Sequence, residues 1–320
     1  MCNGGVMMRL LHTSDWHLGA TLHGVSCDPD HRRFIQWLVE TLDSESIDVV
    51  VVVGNIFDLA QPSAEAQSLF YEFLALASAT RVRRIVVVGG NHDSATRLDA
   101  TRPVMEALKI HIVGGLSADE ASWEQALCPV HNSDGALLGV VAAVPYVHEF
   151  RLGVRTTSGD VRGMAEATRR GFKHLYTTLA DGAAARFPDV PLVATGHLTC
   201  SGAGDDDYGT PIHQVASIGG LPPEVFDPRF DYVALGHVHR SFQVGPGPVW
   251  YSGSPIPLKL HDMAAPRRVL LVEVATSTET RVSPLEVPVF RELLAVEGDA
   301  DSVAERIATV QSPAPFGPLI

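Results

Sequence analysis

Five short cassettes along the chain hold residue types that bind divalent metals. In order they are Asp15-Trp16-His17, Gly54-Asn55-Ile56-Phe57-Asp58, Gly90-Asn91-His92-Asp93, Gly196-His197 and Gly236-His237-Val238-His239. Singly, each has an ordinary reading: a lone His near a strand end is more often a hydrogen-bonded structural residue, and Asp-x-His is also a turn. Together, Asp15, His17, Asn55, Asn91, His197, His237 and His239 mix imidazole, carboxylate and amide oxygen. That donor set suits manganese, iron or zinc better than a thiolate-selected metal or an all-oxygen calcium site. Two divalent ions a few ångströms apart clamp an in-line phosphoryl displacement by acidifying water and steadying the phosphate oxygens, so a phosphodiester or phosphomonoester is the expected substrate. His92, beside Asn91 but not an obvious ligand, is the expected general acid or transition-state donor. Asp58 is expected to orient His92 by accepting from its second ring nitrogen, with a helix cap or turn as an equal alternative. Arg240, directly after the histidine pair, is placed to meet a substrate phosphate.

The elements that must bring these cassettes together are short β-branched runs: Arg9 to Thr13, Asp48 to Val53, Arg84 to Val88, Leu137 to Val144, Pro191 to Thr195, Asp231 to Leu235 and Val249 to Ser252. Near-continuous apolar strands of this kind are buried on both faces, as in a layered α/β domain. Ligand sites in such folds gather beyond the carboxyl ends of the strands, where five of these runs deliver a cassette. Helices are expected after His31, after the N-cap candidate Ser63, and over a stretch carrying Met164, Phe172, Leu175 and Leu179. Gly54, Gly90, Gly196 and Gly236 each precede a candidate ligand and are expected to permit sharp turns there. Trp16 is expected to pack beneath the site rather than stack on a base. The Cys200 to Pro211 stretch, with Asp205, Asp206 and Asp207, reads as a solvated acidic loop. Arg151, Arg155, Arg162, Arg169, Arg170 and Lys173 read as a solvated helix face, with a phosphate-tracking surface as the alternative.

Composition narrows the class. The 320 residues suffice for one large domain and a smaller appendage. The apolar run Val49 to Val53 is far too short to span a bilayer, and no secretory signal is visible at the start, so a cytoplasmic location is expected, with no membrane partner. Four scattered cysteines form no C-x-x-C pair, which argues against a zinc ribbon, a redox motif or a disulfide framework. The net charge of −13 is unusual for a protein that holds nucleic acid by itself, so bound metals or a basic partner must offset the repulsion.

With these residues in hand, the chain resembles the calcineurin-like metallophosphoesterases, whose pattern D-x-H, G-D-x-x-D, G-N-H-D/E, G-H and G-H-x-H runs in order here from Asp15 to His239. Within that class it is similar to the SbcD group of bacterial nuclease subunits. The segments that carry this are Leu11 to Gly19, Gly196-His197-Leu198-Thr199, Ala234 to Arg240 and Tyr251 to Leu258. The resemblance implies an α/β fold: a layered α/β/β/α sandwich over residues 8–284, with residues 285–320 as the start of a small capping domain or a tail. It also implies that Asp15, His17 and His239 hold one manganese ion and Asn91, His197 and His237 the other. The implied partners are DNA and an SbcC-like ATPase, a homodimer being compatible with it, and the implied activity is cleavage of DNA ends and hairpins in repair and recombination. One position departs from the family pattern: Asn55 stands where the family has the Asp that bridges the metals. An amide bridges poorly, so weakened metal binding and reduced turnover are expected. Two alternatives compete, a phosphatase or phosphodiesterase on small molecules or phosphoproteins, and a catalytically dead scaffold that binds DNA ends or a partner.

Overall fold

A computed structural model describes residues 6–154, 161–200, 220–260, 262, 265–276 and 278–320. In chain order, β1 (Met7–Ser14), a small hairpin of β2 (Thr21–Leu22) and β3 (Val25–Ser26), α1 (Asp28–Ser44), β4 (Val49–Val53), α2 (Ala64–Ser78), β5 (Arg84–Val88), α3 (Ala95–Ala100), α4 (Arg102–Ala107) and β6 (Ile110–Val113) make the first half. The second half contains β7 (Leu127–His131), β8 (Leu137–Ala142), α5 (Val161–Arg186), β9 (Leu192–His197), β10 (Tyr232–Gly236), β11 (Phe242–Gln243), β12 (Val249–Tyr251), β13 (Arg268–Ala275) and β14 (Thr278–Glu286). Then come β15 (Arg291–Leu293), α6 (Ala300–Thr309) and β16 (Phe316–Leu319).

The strands form two six-stranded sheets, ordered β14-β13-β1-β4-β5-β6 and β11-β12-β10-β9-β8-β7. Their apolar runs bury both faces because successive side chains alternate. In β4, Val50 and Val52 meet Phe34 and Leu38 of α1 and Leu69 and Phe73 of α2, while Val49, Val51 and Val53 face the other sheet. In β10, Val233 and Leu235 join Phe172, Leu175 and Leu179 of α5, while Tyr232 and Ala234 face inward. The result is an α/β/β/α sandwich, as the family resemblance implies. Ser63 caps α2 by accepting from the Ala66 amide.

Five strands of these two sheets are absent from the sequence reading, namely β6, β7, β11, β13 and β14. All but β13 are sheet edges, where apolar runs shorten and proline is tolerated: β7 contains Pro129 and β14 contains Pro284. β14 runs on to Glu286, and beyond it Val287, Phe290 and Leu293 pack into the core shared with α1 and α2. Arg291 donates from Nε and Nη2 to Asp30 Oδ2, both at 3.2 Å, tying the C-terminal segment to α1. The acidic stretch of Asp205 to Asp207 and Arg155 lie outside the described residues. No helix among the described residues is long and apolar enough to cross a membrane.

Candidate metal centre

The cassettes meet because β1, β4 and β5 of one sheet and β9 and β10 of the other end at the same edge of the sandwich. Backbone bonds stitch the loops together. Asp15 N donates to Gly54 O, and His17 N to Asn55 O; the two loops thus run side by side. Across the sheets, His237 N donates to both Asp15 carboxylate oxygens at 3.1 and 2.9 Å. Asp15, His17, Asn55 and His237 all have φ between 48° and 96°. Left-handed backbone at four non-glycine residues is costly, and its concentration here marks a site whose shape the surrounding contacts impose.

The glycines act differently from the expected turns. Only Gly54 has a positive φ among the four that precede candidate ligands. A Cβ on Gly236 would lie 2.0 Å from Val53 O and 2.8 Å from His197 Nδ1. Close approach of the two sheets, rather than turning, therefore excludes a side chain at Gly236.

Two clusters result. Ligand-type atoms of Asp15, His17 and His239 lie within 4.8 Å of one another, and so do those of His17, Asp58 and His92. Beside them, Asn91 Oδ1 is 3.0 Å from His197 Nε2 and 3.3 Å from His237 Nδ1. Asn55 sits between: its Nδ2 donates to Asp15 Oδ1 at 3.2 Å, and its Oδ1 accepts from the His92 amide at 3.1 Å. Arg240 lies on the exposed rim, its guanidinium 5.1 Å from the centroid of the Phe242 ring.

The expected role of Asp58 needs correction. Its carboxylate bonds His17 Nδ1 at 3.0 Å; His92 Nδ1 instead donates to the Asp58 backbone carbonyl at 2.8 Å. The loop carries the Asp58 side chain towards β1, which leaves only its carbonyl facing β5. The bond to His17 holds the Asp58 carboxyl below its usual range. Sequence reading also gave no role to Asp93, which accepts from the amides of Ile56, Phe57 and Gly90 and clamps the second cassette to the third. Its position directly after Asn91 and His92 was the available signal. His31 bonds the Trp16 carbonyl from α1 at 2.7 Å, for which the sequence offered none. Trp16 is fully buried, edge-on to Phe34 and Phe73, and packs beneath the site.

The donor atoms fit divalent cations. An ionised Asp58 only accepts, so His17 donates to it from Nδ1 and turns Nε2 to the site; that buried Nε2 has no hydrogen-bond partner among the described residues. His197 Nδ1 must likewise donate to the Val53 carbonyl at 3.1 Å, which leaves the Nε2 lone pair facing the Asn91 oxygen, another acceptor. Burial and the neighbouring His237 keep His197 well below the usual histidine range, so a second proton does not relieve this opposition. His239 is lowered by burial and then by His17. Neutral imidazoles with lone pairs converging on an oxygen are what a cation requires. Without a cation beside it, burial pushes the Asp15 carboxyl up to about 6.

This arrangement coincides with a family match: the calcineurin-like phosphoesterase model covers residues 8–241. The chain belongs to the calcineurin-like phosphoesterase family. Among curated members, it is 36% identical to SbcD, the D component of the SbcCD nuclease, from Rhodobacter capsulatus, over 98% of this chain and 79% of that protein. It is 31% identical to the protein of the same name from Escherichia coli K12, over 94% of this chain and 73% of that one. For the Bacillus subtilis protein of that name the figures are 32%, 85% and 68%. Calcineurin-like phosphoesterases use divalent metals, and the clusters above supply the candidate ligands in this one.

Proposed function

We infer that this chain is a metal-dependent DNA nuclease, the SbcD-like subunit of a repair complex with an SbcC-like ATPase, cutting DNA ends and hairpins. The observation that carries this reading is the gathering of Asp15, His17 and His239 beside Asn91, His197 and His237 at the seam of the two sheets, with Asn55 bonded to Asp15, in a chain whose relatives are nuclease subunits. Asp15, His17 and His239 would hold one divalent ion, and Asn91, His197 and His237 the other; the mixed nitrogen and oxygen donors suit manganese, iron or zinc, and the family resemblance implies manganese. When bound, such ions acidify water and neutralise charge on the phosphate. The chain's own residues do the rest. Asp58 fixes the His17 ring so that Nε2 points into the cluster. Because its Nδ1 hydrogen goes to the Asp58 carbonyl, His92 is left with Nε2 as the atom that holds or gives the proton for the leaving oxygen. Arg240 stands at the rim to meet a substrate phosphate.

Asn55 favours an attenuated form of this activity. Its amide is turned with the N–H group to Asp15, so on that side it presents a hydrogen where a bridging carboxylate would present a lone pair. The test is to measure metal content beside manganese-dependent cleavage of blunt and hairpin DNA, for the chain as it stands and for Asn55→Asp. The substitution is expected to tighten metal binding by roughly ten-fold or more and to raise cleavage with it. Equal occupancy and equal cleavage in both forms would remove position 55 from the metal bridge. Hydrolysis of an aryl phosphodiester without any DNA cleavage would favour a small-molecule phosphodiesterase instead.

A further inference from the structure

A row of aromatic rings runs from the metal-ligand candidates to solvent, and the chemistry above does not use it. Tyr146 stands edge-on to His197 with ring centroids 6.4 Å apart. His148 stands edge-on to Tyr146 at 4.8 Å, and Phe150 stacks on His148 at 5.5 Å with 20° between planes. The three residues are spaced i, i+2, i+4 on the segment that leaves β8 and enters a 3-10 turn at Glu149–Leu152. Tyr146 N donates to Gly89 O at 2.8 Å, anchoring the segment to the strand end that delivers Asn91.

Exposure rises outward along the row. Tyr146 is half-buried, His148 is exposed and Phe150 is 61% exposed. A phenylalanine so placed gives up most of the stabilisation that its burial would contribute, so core packing does not explain it. Cations flank it. The Arg151 guanidinium lies 5.1 Å from the centroid of the Phe150 ring. Leu152 packs on Gly171, where an added Cβ would come 2.9 Å from Leu152 Cβ; this seats the segment on the part of α5 that bears Arg169, Arg170 and Lys173. Arg169 and Arg170 pair with Glu166, while Arg151 and Lys173 are exposed. Exposed rings among cations, in a row ending at a catalytic centre, are the components of a surface for unpaired nucleic acid: rings stack bases and cations track phosphates.

We propose that Tyr146, His148 and Phe150 form a stacking track for unpaired nucleobases of the strand whose phosphodiester reaches the metal centre, with Phe150 as the outer platform. The proposal rests on the nuclease reading and adds the path by which the strand lies on the protein. A protein partner seated on Phe150 alone would have no use for a row continuing inward to His197.

The test separates stacking from turnover. An oligothymidylate carrying one 2-aminopurine is titrated with the full chain in calcium, which reports base stacking as quenched fluorescence without requiring cleavage. Quenching by the chain as it stands, and its loss with a roughly ten-fold weaker affinity in Phe150→Ala, is the expected result; Phe150→Trp should restore both. In manganese, the ratio of oligonucleotide to bis(p-nitrophenyl) phosphate hydrolysis should fall in Phe150→Ala, because the aryl ester has no base to stack. Absence of quenching with the unaltered chain, or equal quenching and equal ratios in Phe150→Ala, overturns the track. Loss of ATPase binding in Phe150→Ala with quenching intact also overturns it, in favour of a protein occupant. If neither ester is hydrolysed by any form, including Asn55→Asp, the nuclease reading fails, and quenching still decides the track independently.

Discussion

At the residue scale, the centre is organised by which atom of each side chain is already spoken for. Asp58 shows this most directly, because its carboxylate engages His17 while its backbone carbonyl engages His92. Replacing it with Asn keeps the carbonyl and the shape but exchanges an anionic acceptor for a neutral one. Asp58→Asn is therefore expected to weaken manganese binding roughly ten- to hundred-fold by loosening the His17 ring, with little change in thermal unfolding of the chelated protein. Titration followed by electron paramagnetic resonance reads the free ion directly. An unchanged affinity would show that His17 needs no such partner. Asp93 belongs to the same scale but has a structural role: Asp93→Ala leaves three backbone amides without their shared anionic acceptor and should cost about 3 kcal/mol of stability, measured by urea unfolding.

At the scale of elements, the site depends on how closely strand ends from two sheets approach. The Gly236 position at the end of β10 touches the Val53 carbonyl at the end of β4, and an alanine methyl there has no space that a small rotation could open. Gly236→Ala should lose more than about 4 kcal/mol or fail to fold. Gly247 has no atom within 4 Å of a built Cβ and serves as the control, expected to tolerate alanine. Comparable unfolding midpoints for the two variants would refute the close-approach argument. This feature was half legible: the glycines were visible beside candidate ligands, but a sequence cannot distinguish a turn from a clash with a distant strand that ends at Val53.

At the scale of the whole molecule, the two sheets are pinned by a buried polar bond as well as by apolar packing. His12 of β1 donates from Nε2 to the Leu235 carbonyl at 3.2 Å, and its Nδ1 accepts from the Tyr232 hydroxyl at 2.9 Å. Burial lowers its pKa from 6.5 to about 3. The unfolded chain therefore binds a proton below pH 6.5 that the folded chain refuses, so this contribution is full above 6.5 and is lost as pH falls towards 3. His31, lowered by burial to about 4, acts in the same direction. Between pH 6.5 and 4 the buried Asp15 carboxyl, raised to about 6, opposes this loss in chelated protein, so the test is the difference between variants: urea midpoints should fall less, or rise more, with acidification in His12→Gln than in the unaltered chain. An identical slope in that variant would exclude His12 as a source of acid sensitivity.

The sequence by itself determined the chemistry and the layers. Residue types in five cassettes name divalent-metal phosphoester chemistry whatever their distances, and apolar runs buried on both faces demand a layered sheet domain, since alternation is a local property of the chain. Tertiary structure alone decided the partners: that Asp58 gives its carboxylate to His17, that the amide of Asn55 turns its N–H to Asp15, that Asp93 clamps two loops, and that Tyr146, His148 and Phe150 line up behind His197. The first three depend on which of several donors or acceptors, tens of residues apart, the packed sheets bring within about 3 Å of one another, and the ring row on the bond that ties the Tyr146 amide to Gly89 beside the ligand loop.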